Sequence, residues 1–289
     1  MLDDMNEFFI PTIGNRKHQL RAFTFLVLFS LFLVFPIIAF SQQSELSLRI
    51  GPGFYDLQDQ IFSPFVHHDQ SFLNLGLQYD WSKKKDQFIG LEFGSYDPIL
   101  VPSYTYNDTS VTIPNSITLV NLTYGLGKKM KVKREGDAFT VGGFFEADVE
   151  AITWYFAWAN TGGYMAPFSL GIWTEYQYQL TPKSKLTGKV LLPLVSLVAR
   201  SPYLQNDDEY IQNNFEHNGF KTFFEYLGDG DVKTLNRIQQ LEFNLGYQYQ
   251  LSERWSIGGQ YAFRFMHASK PRNFLSYRNT FYLNLAYAL

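Results

Sequence analysis

From residue 44 onward, apolar and polar residues alternate with period two in stretch after stretch. The first stretch, 44–51, puts Leu46, Leu48 and Ile50 on one face. The second, 71–81, sets Leu73, Leu75, Leu77, Tyr79 and Trp81 against Asn74, Gly76, Gln78 and Asp80. The same alternation recurs over 87–97, 116–126, 138–151, 167–180, 185–198, 238–251, 255–267 and 277–289. Period two is the signature of a strand whose faces meet different media. The pattern predicts an all-β chain of about ten antiparallel strands. Segments 209–216 and 220–227 flank His217-Asn218-Gly219, a hairpin-type turn, and raise the alternative count to twelve. Residues 209–216 have no clean apolar face, so ten is preferred, with that pair as a hairpin in the long loop.

Connections sharpen the prediction. Those after strands two, four, six and eight are short, whereas those after one, three, five and seven are longer, and 199–237 is the longest. Near the short-turn side Trp81, Tyr178, Tyr249, Trp255 and Tyr287 share the apolar parity, as an interfacial aromatic girdle would. Trp154, Tyr155 and Trp158 read as loop aromatics at the opposite interface. The final stretch, 277–289, carries Phe281, Leu283, Leu285, Tyr287 and Leu289 on one face. It resembles the closing strand of a Gram-negative outer-membrane β-barrel. That resemblance implies a closed up-and-down transmembrane barrel with short periplasmic turns and outer loops at the cell surface. Closure follows from the medium, because an open sheet edge in lipid leaves N–H and C=O groups unpaired.

Targeting agrees. Arg16, Lys17 and Arg21 precede an apolar run from 22 to 40, with small residues at Ala39 and Ser41. This reads as a secretory signal peptide over 1–41, cleaved before Gln42, leaving 42–289 as the barrel domain.

Composition changes the picture little. The 289 residues include 28 Phe, 19 Tyr and 5 Trp, yet mean hydropathy is only −0.16, which fits alternation better than apolar blocks. Without cysteine, any metal site would need His and carboxylates, and no cofactor or metal is expected. A net charge of −3 argues against a nucleic-acid partner. The expected partners are outer-membrane lipids and a surface ligand or protein met by the outer loops.

Three constellations could carry chemistry. The first is in the lumen, where parity turns Glu92, Glu146, Asp148, Glu150, Glu175 and Glu242 inward with Lys189, Arg264 and Arg278. These form either a paired network filling a narrow barrel or a cation-preferring constriction. Inward glycines and alanines, among them Gly76, Gly90, Gly94, Gly125 and Gly142, would leave room for water. The second is His267-Ala268-Ser269 at the outer end of the ninth strand, with Asn279 on the last, all on or near the lipid face. It resembles the outer-membrane lipid A deacylases, which carry His-x-Ser on the penultimate strand and an acid on the last. The resemblance implies an esterase with Ser269 as nucleophile and His267 as base, although Lys270 stands where that family has Asn. The third is His67-His68-Asp69 with Asp207-Asp208-Glu209 and Asp229-Gly230-Asp231, read as solvated loop charges, a divalent-ion site or a likeness to ten-stranded outer-membrane proteases. The preferred function is non-enzymatic, a structural or surface-contact barrel with at most a narrow channel. The alternatives are the deacylase-like hydrolase and a porin-like small-solute channel.

Overall fold

The computed structural model describes residues 43–98, 104–106, 109–111, 115–156, 159–201, 228 and 230–289. The predicted signal peptide, the pair 209–216 and 220–227, and the acids at 207–209 and 229 lie outside the described residues.

The strands in chain order are β1 (Gln43–Asp59), β2 (His67–Ser82), β3 (Asp86–Tyr96), β4 (Tyr104–Tyr106), β5 (Thr109–Val111), β6 (Ser116–Met130), β7 (Ala138–Phe156), β8 (Ala159–Thr181), β9 (Ser184–Arg200), β10 (Asp231–Thr234), β11 (Ile238–Gln250), β12 (Trp255–Ala268) and β13 (Phe274–Ala288). Strands β4 and β5 form a small separate hairpin. The others make one antiparallel sheet in the order β9-β11-β12-β13-β1-β2-β3-β6-β7-β8, and β8 pairs back onto β9. The result is a closed ten-stranded ring. The four-residue β10 extends the β11 edge along β9, opposite residues 195–198. Every strand neighbours its sequence neighbour in the ring, which is the up-and-down order the alternation predicts.

Closure joins the two ends of the described chain. Glu45 pairs with Ala288 and Asp59 with Phe274, so β1 and β13 are in register along their whole length. One irregularity falls between Gly51 and Gly53, where β2 gains a residue. That bulge leaves both Phe72 and Leu73 exposed and reverses the parity of the outer part of β2.

Strand lengths depart from the prediction. Strands β7 and β8 have 19 and 23 residues, although a tilted spanning strand needs only about 9–11. The expected loop between residues 151 and 167 is therefore mostly strand, and the barrel wall continues past the membrane on that side. Trp154, expected in that loop, lies on β7 and is 1% exposed inside the barrel.

Burial is inverted relative to a water-soluble protein. Leu283 is 69% exposed and Leu170 57%, whereas Arg49, Glu146, Asp148, Glu150, Lys189 and Arg278 are all buried. Exposed large apolar side chains recur on the outer parity of most long strands, for instance Leu48, Val141, Phe145, Ile172, Leu241, Leu245, Ile257 and Phe281. Such a wall is stable only against hydrocarbon, because water would charge about 25 cal/mol for each Å² of it.

Candidate functional site

The lumen is built in layers set by the inward parity of ten strands. In the middle layer, cross-strand register puts Glu242, Arg264 and Arg278 side by side on β11, β12 and β13. Two guanidinium groups directly opposite each other would repel. Carboxylates reaching across the bore offset this. Arg264 Nη1 lies 2.9 Å from Glu146 Oε1 and 3.1 Å from Asp148 Oδ2, while its Nη2 is paired with Glu242. Glu146 and Asp148 are on β7, which is four strands from β12 around the ring, so this ion pair crosses the lumen. Arg278 meets Glu92 at 3.6 Å, and Glu92 also takes Arg49 at 3.3 Å. Glu150, two residues along β7, accepts hydrogen bonds from the Tyr55 hydroxyl at 2.6 Å and the Ser276 hydroxyl at 3.3 Å. Neutral side chains extend the mesh. Arg49 donates to Gln260, Gln260 to Asn244, and Asn244 to Glu242.

Toward the short turns, Lys189 stands opposite Glu175, with its ammonium 3.1 Å from the centroid of the Phe88 ring. Glu175 itself accepts from Gln177. A cavity of about 100 Å³ lies here, lined by Arg49, Glu92, Glu175, Lys189, Glu242 and Gln260 among others. A wider hollow of about 310 Å³ opens between the short turns, bordered by Lys183, Lys185, Gln248, Glu253 and Arg254. Beside Arg264 only about 10 Å³ is empty, roughly the space of one water.

Toward the long loops the lumen becomes apolar. Tyr55, Leu57, Ile117, Leu119, Ile152, Trp154, Met165, Val198, Ile238, Met266 and Phe274 pack into one buried cluster. The connection between β1 and β2 folds into the mouth, where Ile61 is buried and Phe62 stacks on Trp154 at 5.6 Å. His67 meets the Trp154 ring edge-on at 4.7 Å. Above this, Asp59 and Arg200 form a second bore-crossing pair at 2.6 Å, both almost fully buried. Arg200 also donates to the carbonyls of Lys270 and Arg272, tying β9 to the β12–β13 connection.

No family model matches the sequence, and no curated protein matches it. Among solved structures, the outer membrane protease OmpT of Escherichia coli superposes with a TM-score of 0.53 at 6% identity, over 86% of this chain and 97% of that one. Neisserial surface protein A aligns with a TM-score of 0.35 at 5% identity, covering 84% of this chain and 96% of that one. Ail of Yersinia pestis aligns with a TM-score of 0.30 at 8% identity, over 86% of this chain and 100% of that one. The fold is that of an outer-membrane β-barrel. Its apolar wall and closed ring put it across the outer membrane, and in such barrels the short turns face the periplasm.

The barrel brings together all nine lumen charges that parity points inward. Strand parity missed three partners: Arg49, Asp59 and Arg200. Arg49 has inward parity and could have been found by the same rule. Asp59 and Arg200 lie at strand ends that the pattern had placed in loops. The inward glycines do not leave water beside the charges, except at Gly90. A Cβ at Gly125 would lie 2.0 Å from the Phe88 ring, and one at Gly94 would lie 2.5 Å from Asn74. Those glycines make room for large inward side chains, not for solvent.

The barrel does not bring His267, Ser269 and Asn279 together. His267 Nδ1 is 2.6 Å from Gln239 Oε1, and the Ser269 hydroxyl donates to the Arg237 carbonyl at 3.4 Å. Asn279 accepts from the Tyr261 hydroxyl at 2.7 Å. His267 pairs with Leu275, so Asn279 is four residues further along β13, about 13 Å at strand rise. The residues of His67-His68-Asp69 also separate, because neighbours on a strand face opposite ways. His67 is buried in the lumen beside Asn115, His68 pairs outside the wall with Asp56, and Asp69 accepts the Asp97 amide at 2.6 Å. Among the described residues no group of three or more His, Asp and Glu could hold a metal ion.

Proposed function

We propose that this is a non-enzymatic outer-membrane barrel without a conducting bore, a rigid wall that carries outer loops for contact at the cell surface. The observation that carries the reading is the apolar cluster around Trp154, which fills the lumen at the outer mouth. A permeation path for ions needs wet, polar walls from end to end. Here a solute arriving from outside meets Trp154, Phe62, Tyr55 and Leu57, then the Arg264 ion pairs. The strands rising past the membrane on β7 and β8 suit a platform for loops. A hydrolase reading draws no support from the outer wall, since His267 is hydrogen-bonded to Gln239 and not to Ser269. The protease named among the similar structures shares the fold at 6% identity, and its activity is not carried over.

Liposome swelling tests the reading. Vesicles holding the protein should swell no faster than empty vesicles in small sugars and in salts. Swelling that slows as the solute grows would instead favour the small-solute channel.

A further inference from the structure

The periplasmic rim is far more basic than the chain that carries it. The whole sequence has a net charge of −3. Yet turn 82–86 holds three lysines, 127–137 five bases and 181–185 two lysines, against only Asp86, Glu135 and Asp137. These turns are neighbours, because they join consecutive strands on one side of the ring. Hydrogen bonds stitch them together. Lys129 reaches Asp86 at 3.2 Å on the next turn, and Arg134 donates to the Gln179 carbonyl at 3.3 Å on the one beyond. Lys83, Lys84, Lys85, Lys128, Lys131 and Lys133 are exposed, and none has an ion-pair partner among the described residues.

We propose that this crescent binds the anionic phospholipid headgroups of the inner leaflet. Depth supports a lipid partner. Trp81 and Tyr124 form an aromatic pair on the outer wall, 6.3 Å between ring centroids, at the level where such rings sit among headgroups. The lysines of turn 82–86 begin two residues past Trp81. The Arg134 guanidinium lies 4.1 Å over the outward ring of Tyr178, so it stays against the lipid-facing wall. Lys128 shares the outer parity of Tyr124, and its long stem can lie on apolar surface while its charge stays among phosphates. Each base near an anionic surface contributes on the order of a fivefold preference, and salt screens the effect.

The protein purified from membranes and reconstituted in phosphatidylcholine bilayers provides the test. Trace spin-labelled phosphatidylglycerol or phosphatidylcholine reports which lipid the wall restrains. The expected result is a preference for phosphatidylglycerol of on the order of tenfold at low salt, falling toward parity at high salt. Replacing Lys83, Lys84, Lys85, Lys128, Lys131 and Lys133 by Gln should remove the preference while the heat-modifiable gel shift of a folded barrel persists. Equal restraint of both lipids by the unaltered protein would overturn the proposal, as would an equal preference in the variant. Salt-sensitive retention of the unaltered protein by peptidoglycan sacculi, without lipid preference, would also overturn it and assign the crescent to the wall polymer.

Discussion

Arg264 is the residue on which the lumen depends most. One guanidinium is ion-paired with Glu146, Asp148 and Glu242, and two of these come from the far wall. Removing it leaves three carboxylates facing each other with only Arg278 and Lys189 nearby and no ion-pair contact from either. Arg264→Met should lower stability by about 3–5 kcal/mol, read from the urea midpoint of the folded gel band. A change that left the midpoint in place would mean that water already solvates these carboxylates. Parity along single strands made the inward charges legible, because it depends only on counting by two. It could not say which charges meet. That depends on strand tilt and on the diameter of the ring, neither of which is written in any one strand. The same limit applies on the outer wall. His267 and Ser269 have the spacing of a dyad, but Gln239 on the adjacent strand is nearer to the imidazole, and nothing local in the sequence points to Gln239.

Strands and turns carry different kinds of information. All ten barrel strands were legible from alternation, since lipid outside and polar groups inside hold the pattern over many residues. Their ends were not. Beyond the membrane the inner face becomes an ordinary apolar core, so Ile117, Leu119 and Ile152 point inward where a membrane pattern calls for polar residues. That loss of alternation made β7 and β8 look as if they ended early. The turn from β6 to β7 has its own stabilising motif. The Tyr176 hydroxyl donates to Asp137 at 2.6 Å, and the Gln179 amide donates at 3.1 Å. The Tyr176 hydrogen bond, ahead of the Gln179 amide, holds the Asp137 carboxyl below its ordinary value of 3.8. Because the folded value is the lower one, this bond contributes fully above the ordinary carboxylate range. The contribution is lost as pH falls through Asp137's own titration. Carboxyl-carbon NMR in micelles should find the Asp137 midpoint below that of a free Asp, and Tyr176→Phe should raise it. An unchanged midpoint in the variant would show that the hydroxyl is not the cause.

At the scale of the molecule, the lumen runs from an apolar plug at the outer mouth, through bore-crossing ion pairs, to a cavity and a periplasmic hollow. Each layer narrows the bore, by packing around Trp154 and by ion pairs at Arg264 and between Asp59 and Arg200. On the function proposed above, these layers leave no path for ions. Single-channel recording in planar bilayers tests it most directly. The unaltered protein should insert without conductance steps at any modest voltage, and Trp154→Gly, which opens the packed mouth, should at most give brief, noisy openings. Stable ohmic steps from the unaltered protein, with preference for cations over anions, would contradict the account and make the lumen carboxylates the lining of a channel.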